Sequence, residues 1–260
     1  MDLYNSIDKT DAQTDETIKQ VVESTFNMKA HNTNYFLPVS YRYDGKYPRT
    51  NFHKANAMEV EFQVSFKFEI TQDLMGLGET YSAAYTQHSF WQLYTKSAYF
   101  RESNYNPEFF VTFPTDLSGD MYGLKAIRVS FAHQSNGRGG REERSWNYIS
   151  SSFTFQYKYL FTELKLWTSW NSALKYNPDL LDYLGHGHLK FRLPYKKHLF
   201  EVKLRDVFDS RAAIETSYSY PLLGRSDLFF YAKTFNGYGE SLIDYDNNVN
   251  KVGFGFSISR

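Results

Sequence analysis

Met58-Glu-Val-Glu-Phe-Gln-Val-Ser-Phe-Lys-Phe-Glu-Ile70 is the stretch whose reading decides the fold. Val60, Phe62, Val64, Phe66, Phe68 and Ile70 alternate with Glu59, Glu61, Gln63, Ser65, Lys67 and Glu69. Successive side chains of a strand point to opposite faces, so one face is apolar and the other polar or charged. The alternation runs well past the roughly 5–6 residues of an ordinary globular strand. A soluble sandwich shows the same period, but a strand tilted across a bilayer needs about 9–11 residues.

The period recurs on both sides of this stretch. Tyr35, Leu37, Val39, Tyr41 and Tyr43 share one face; Phe200, Val202 and Leu204 alternate with Glu201, Lys203 and Arg205; Val252, Phe254, Phe256 and Ile258 form the last apolar face. Strands are expected at 33–43, 57–71, 79–93, 107–114, 124–136, 145–157, 160–170, 186–195, 197–207, 212–222, 227–236 and 249–259. An even number near twelve suits a single-chain outer-membrane barrel, and connections after odd strands are mostly longer than those after even ones. The expected fold class is all-β: a transmembrane antiparallel β-barrel of about twelve strands over residues 33–260, with short periplasmic turns and longer extracellular loops. Residues 1–32 are polar, with Asp11, Asp15 and Glu16, and are expected to form a periplasmic extension outside the barrel.

Composition agrees. Twenty-nine basic residues balance 29 acidic ones, which argues against a general nucleic-acid binder. There are no cysteines, so disulfides and thiolate metal sites are excluded. Tyr and Phe number 22 and 23, an excess that aromatic girdles at the two membrane interfaces would explain.

Three polar residues carry the parity of the lipid face. On 124–136 the apolar set Ile127, Val129 and Phe131 continues in steps of two to His133 and Ser135; on 145–157 the set Ile149, Phe153 and Phe155 steps back to Asn147. A polar rim at the headgroups is one reading. Nucleophilic catalysis is the other. Serine needs a base to take its proton, histidine is such a base near neutral pH, and a third group must fix the imidazole tautomer. Positions i and i+2 on a strand lie about 6.6–6.8 Å apart, and a cross-strand neighbour about 4.5–5.5 Å away, so the three side chains are within mutual reach.

Phe131-Ala-His-Gln-Ser-Asn-Gly-Arg138 followed by Arg144-Ser-Trp-Asn147 resembles the outer-membrane phospholipase A family. So do Tyr85-Thr-Gln-His-Ser-Phe-Trp-Gln-Leu93, Phe100-Arg-Glu-Ser-Asn-Tyr105 and Gly237-Tyr-Gly-Glu-Ser-Leu-Ile-Asp-Tyr245. The resemblance spans most of the barrel. It implies a calcium-dependent enzyme of the bacterial outer membrane that hydrolyses sn-1 and sn-2 acyl esters of membrane phospholipids and lysophospholipids, active as a homodimer. It implies Ser135 as nucleophile, His133 as general base, Asn147 as orienter of His133, and the Gly137 amide as an oxyanion donor. It implies calcium held by the Arg138 carbonyl, by the side chain at Glu143 where the family's type protein has serine, and by a carbonyl around Ala98 of the partner chain. Glu142, adjacent, leaves that side-chain register open. Gln87 falls in the family's dimer contact region; a lumen or rim position is the alternative. The family's second calcium site uses an Asp where this chain has Tyr176, ahead of Asn177-Pro178-Asp179.

Other polar groups have plainer readings. Glu240 and Asp244 read as a solvated loop face, with metal ligation as the alternative. His186 and His188 read as an interfacial pair rather than a zinc site. Glu59, Glu61, Lys67, Lys203 and Arg205 are expected to form an internal network filling the barrel. The alternative to an enzyme is an inactive barrel serving as a channel or surface protein.

Overall fold

Glu59 and Glu61 are both 0% exposed, whereas Val64, Phe68 and Ile70 on the other face are 44–54% exposed. Polar groups inside and large apolar groups outside invert the arrangement of a soluble domain. This removes the sandwich alternative. The computed structural model describes residues 28–47, 55–115, 123–170 and 176–260.

The strands are β1 (Met28–Ala30), β2 (Tyr35–Arg42), β3 (Met58–Gln72), β4 (Thr80–Trp91), β5 (Phe100–Pro114), β6 (Leu124–Ser135) and β7 (Ser145–Tyr157). They continue as β8 (Leu160–Ser169), β9 (Gly187–Tyr195), β10 (His198–Arg205), β11 (Ala213–Pro221), β12 (Phe229–Gly237) and β13 (Val249–Ser257). Each strand from β2 onward pairs antiparallel with the next, and β13 pairs back onto β2 through Lys251↔Arg42 and Ser257↔Tyr35. The result is a closed twelve-stranded barrel with β1 as an additional short strand. Closure leaves no open edge of unpaired backbone groups in the hydrocarbon. The chain is a transmembrane β-barrel.

At the seam the register of β2 shifts between Leu37 and Ser40, around Pro38, and that of β13 shifts between Phe254 and Phe256. A Cβ at Gly255 would lie 2.1 Å from the Phe36 carbonyl oxygen, so no other residue fits that close approach.

Two boundaries differ from the sequence-based expectation. The strand expected at 107–114 begins at Phe100, because a bulge opposite Phe90 and Trp91 breaks the period. Trp91 pairs Phe100 and Phe90 pairs Glu102, leaving Arg101 as the extra residue, and both Arg101 and Glu102 are buried. Second, the expected extension over 1–32 does not stop short of the barrel. Residues 1–27 lie outside the described residues, but Met28–Ala30 pair with Phe66–Phe68 of β3. His31 then stacks on Phe110, and Asn32 donates to Ser65 and Thr86.

The lumen is filled by ion pairs. Arg101 grips Glu59 through Nε at 2.8 Å and Nη2 at 2.9 Å, and also contacts Asp244 and Glu240. Lys251 meets Glu61 at 2.7 Å as well as Glu240, and Lys233 meets Glu61 at 2.8 Å and Glu215 at 3.2 Å. Glu240 and Asp244 are therefore buried network members rather than a solvated loop face. His188 also faces the lumen, with Nε2 3.0 Å from Glu163 Oε1. A polar cavity of about 260 Å³, lined in part by Tyr35, His88, Glu201, Lys203 and Lys233, remains beside the network.

Removing one partner of a buried ion pair strands the others, at a typical cost of about 3–5 kcal/mol. Glu61→Ala should therefore lower the temperature at which the folded, fast-migrating band is lost on semi-native gels. Lys203→Ala, whose Glu215 partner is 3.5 Å away with both side chains partly exposed, should shift it little, by about 1 kcal/mol or less.

Candidate active site

His133 and Asn147 stand directly opposite each other on β6 and β7, and the His133 ring nitrogen Nδ1 lies 2.8 Å from Asn147 Oδ1. The connection between these strands is short, so the facing pair is set by local register. With Asn147 Oδ1 accepting from Nδ1–H, the neutral imidazole carries its free lone pair on Nε2, the nitrogen that can act as a base. Ser135 lies two residues along the same strand on the same face, partly buried, while His133 is exposed. Among the described residues the His133–Asn147 bond is the contact formed within the trio. Nucleophile–base bonds often tighten only when substrate arrives.

Ser135 occupies one rung of a row across four strands: Gln87 pairs Tyr105, Tyr105 pairs Ser135, and Ser135 pairs Ser145. Gln87 shares its face with the outward residue Val64, its partner on β3, so it lies on the lipid face rather than in the lumen. Its amide accepts from Tyr85 Oη at 3.2 Å and donates to Ser89 Oγ at 3.0 Å. Polar side chains on this wall thus bond one another, which lowers their cost against hydrocarbon.

The carbonyl of His133 has an unusual partner. Continuing the register from Tyr105↔Ser135 and Glu108↔Ala132 places Pro107 opposite His133. Proline has no N–H to give to the ladder. Asn106 Nδ2 donates to the His133 carbonyl at 2.8 Å instead, and Tyr148 Oη donates to Asn106 Oδ1 at 3.1 Å. Asn106 did not stand out in the sequence, where Pro107 fell at the first position of the expected strand 107–114.

The loop 136–144 is built around Asn136, 5% exposed. Its Oδ1 accepts from the amides of Arg138 at 3.2 Å and Arg144 at 3.0 Å, and its Nδ2 donates to the Glu142 carbonyl at 2.9 Å. Gly137 has φ +65°, and a Cβ there would meet the Tyr105 ring at 3.0 Å. Glycine takes this turn beside Ser135 without strain, whereas a larger residue would press on the Tyr105 ring. Behind this wall, inside the barrel, Trp146 and Tyr148 pack with Leu242, Tyr245 and the short helix α1 (Leu180–Leu184). Asn177 brackets Ser145 through its N–H and carbonyl, and Asp179 accepts from Tyr245 Oη at 2.5 Å. Burial and the Asp179 carboxylate push the Tyr245 phenol above its ordinary range, so it remains a donor. The Asn177-Pro178-Asp179 segment is thereby occupied in structural contacts.

The residues expected to hold calcium sort clearly. Glu142 is tied to Arg138 Nη1 at 2.5 Å. Glu143 is exposed, and its carboxylate forms no ion pair with any described residue. The Arg138 side chain is drawn away by Glu102 and Glu142, toward the barrel. Ala98 lies on the exposed β4–β5 loop with φ +44°, and its carbonyl accepts from Trp91 Nε1 at 2.7 Å, with one lone pair remaining. No cluster of three or more acidic or histidine side chains able to hold a metal occurs among the described residues. A single chain therefore offers one carboxylate and backbone carbonyls. These hard oxygens fit calcium but need completion by water or a second copy.

Comparison with known proteins identifies the family and the fold. Residues 11–258 match the family Phospholipase A1. The phospholipase A1 of Proteus vulgaris is 35% identical over 208 residues, 79% of this chain and 71% of that one. The phospholipase A1 of Salmonella typhimurium is 30% identical over 243 residues, 91% of this chain and 83% of the relative. A relative from Neisseria meningitidis serogroup B is 32% identical, and the match spans 66% of its length. Among solved structures, a calcium-bound dimer of Salmonella typhi outer membrane phospholipase superposes with TM-score 0.81 at 29% identity, covering 90% of this chain and 93% of that one. Outer membrane phospholipase A from Escherichia coli gives the same TM-score, coverage and identity. The chain belongs to the phospholipase A1 family, and it is a bacterial outer-membrane β-barrel of the outer-membrane phospholipase kind.

Proposed function

We propose that this barrel is a calcium-dependent serine esterase that hydrolyses sn-1 and sn-2 acyl esters of membrane phospholipids, and lysophospholipids, from its lipid-facing wall. The observation that carries the reading is the 2.8 Å His133–Asn147 contact on the outer face, one strand step from Ser135. A buried triad would be sealed from a bilayer substrate; this one is open to it.

Ser135 Oγ attacks the ester carbonyl carbon while His133 Nε2 takes its proton. Collapse of the tetrahedral intermediate breaks the acyl–oxygen bond, and His133 returns the proton to the departing lysophospholipid alkoxide. Water, deprotonated by the same imidazole, then attacks the acyl carbon; the bond to Ser135 Oγ breaks, His133 returns the proton to Oγ, and the fatty acid leaves. Asn147 holds the imidazole in the tautomer and orientation that both half-reactions need. The Gly137 amide is the oxyanion donor in this scheme. Glu143, the Arg138 carbonyl and the Ala98 carbonyl of a second copy would hold calcium. When bound, calcium supplies positive charge beside the developing oxyanion.

The active form in this proposal is a homodimer joined along the wall that carries Gln87. Pairing completes the metal shell through Ala98 and walls off a groove for acyl chains. The Glu143 carboxylate, exposed and without a described ion pair, is the favoured side-chain ligand over Glu142, which Arg138 already occupies.

In mixed detergent micelles with calcium, Ser135→Ala should reduce fatty-acid release by about 10⁴-fold or more while the heat-modifiable gel shift stays intact. Asn147→Ala should give a smaller loss, because Asn147 orients the base without exchanging bonds. Unchanged hydrolysis by folded Ser135→Ala protein would refute the assignment.

Glu143→Ala should raise the calcium needed for half-maximal activity by about 10-fold or more, whereas Glu142→Ala should move it less. Equal calcium curves for wild type and Glu143→Ala would transfer the ligand role elsewhere.

A further inference from the structure

The bulge in β5 turns two consecutive residues inward, and they serve different masters. Arg101 joins the lumen network, while Glu102, 0% exposed, reaches the loop beside Ser135. Glu102 Oε2 accepts from Arg138 Nε at 3.1 Å. Its other oxygen, Oε1, accepts from Asn104 Nδ2 at 2.7 Å and from the Ile243 amide at 3.2 Å. Arg138 also donates to the Arg101 carbonyl and to Glu142 Oε2. The guanidinium is thus held at three points, two of them on β5 itself.

From this geometry we propose that Glu102 and the Arg138 guanidinium are positioning residues that lock the loop 136–144 into its calcium-holding shape. The inference rests on the calcium dependence proposed above. The proposed metal contact at residue 138 is its backbone carbonyl, and a carbonyl is aimed by fixing the chain on either side of it. Asn136 fixes the amides of Arg138 and Arg144. It cannot fix the direction in which residue 138 leans, and the Glu102–Arg138 clamp does. The same clamp occupies Glu142 and so keeps it from competing with Glu143. Partners one step removed from a metal commonly change affinity by about 10–100-fold when removed.

The test compares Glu102→Gln, Arg138→Met and the double variant. Glu102→Gln keeps the shape and leaves an oxygen for Asn104 and Ile243, but presents an amide N–H₂ to Arg138. Arg138→Met keeps the backbone carbonyl and deletes only the guanidinium from a partly exposed loop. Calcium binding is measured by calorimetry on detergent-solubilised apoprotein, and hydrolysis is followed against calcium concentration, with the gel shift as folding control. Each single variant should need about 10-fold more calcium, and the double variant no more than either single one. For Glu102→Gln the rate at saturating calcium should return to within a few-fold of wild type. Calcium curves unchanged in folded variants, additive losses in the double variant, or losses in Glu102→Gln that calcium does not rescue would overturn the proposal. Wild-type protein that binds no calcium would overturn the parent reading, and would do so before any variant is compared.

Discussion

The grip of Arg101 on Glu59 is the interaction around which the barrel is organised. Both side chains are essentially inaccessible to solvent, and an isolated charge in that position would be prohibitive. The two hydrogen bonds of the guanidinium fork satisfy Glu59, and Asp244, Glu240 and Tyr47 surround what remains of Arg101. Because Arg101 is the extra residue of a bulge, it consumes no regular inward position. Glu102 is therefore free to turn toward the loop at the barrel end. One local irregularity in β5 ties the stability of the lumen to the shape of the loop beside Ser135.

The outer wall faces a different demand. A serine on the lipid face, in the nucleophile's role proposed for Ser135, must be accompanied by polar partners, and hydrocarbon penalises each of them. The wall meets this cost by pairing them along and between strands: His133 with Asn147, Gln87 with Tyr85 and Ser89, Ser89 with Ser103. The apolar packing of Trp146, Tyr148 and α1 lies directly behind, so the strands that carry the site are backed by a rigid interior. Precision on the outside comes from side chains on the inside of the same strands.

Much of this was legible in the sequence, for particular reasons. The alternation in β3 is uninterrupted, so its two faces could be assigned by counting. His133, Ser135 and Asn147 could be grouped because parity along a strand is a rule of two and the connecting loop is short. The beginning of β5 was not legible, since the bulge places Arg101 and Glu102 on the same side and the stretch reads as polar loop. β1 is three residues long and carries no period at all. Glu240 and Asp244 looked like loop carboxylates because their shared partner, Arg101, is remote in sequence. Asn106 owes its role to a proline facing a histidine across a strand boundary, a relation that exists only once register is known.

The seam between β2 and β13 carries a further implication for biogenesis. Lys251 belongs to the final strand, yet its partners Glu59 and Glu61 belong to β3 near the beginning. A chain inserted strand by strand holds those two carboxylates without that counter-charge until its C-terminal end arrives. A mispaired last strand, slipped by one residue, would turn Lys251 toward lipid and leave Glu61 short of a cation. The charges that stabilise the finished barrel thus also favour the correct register of its last strand.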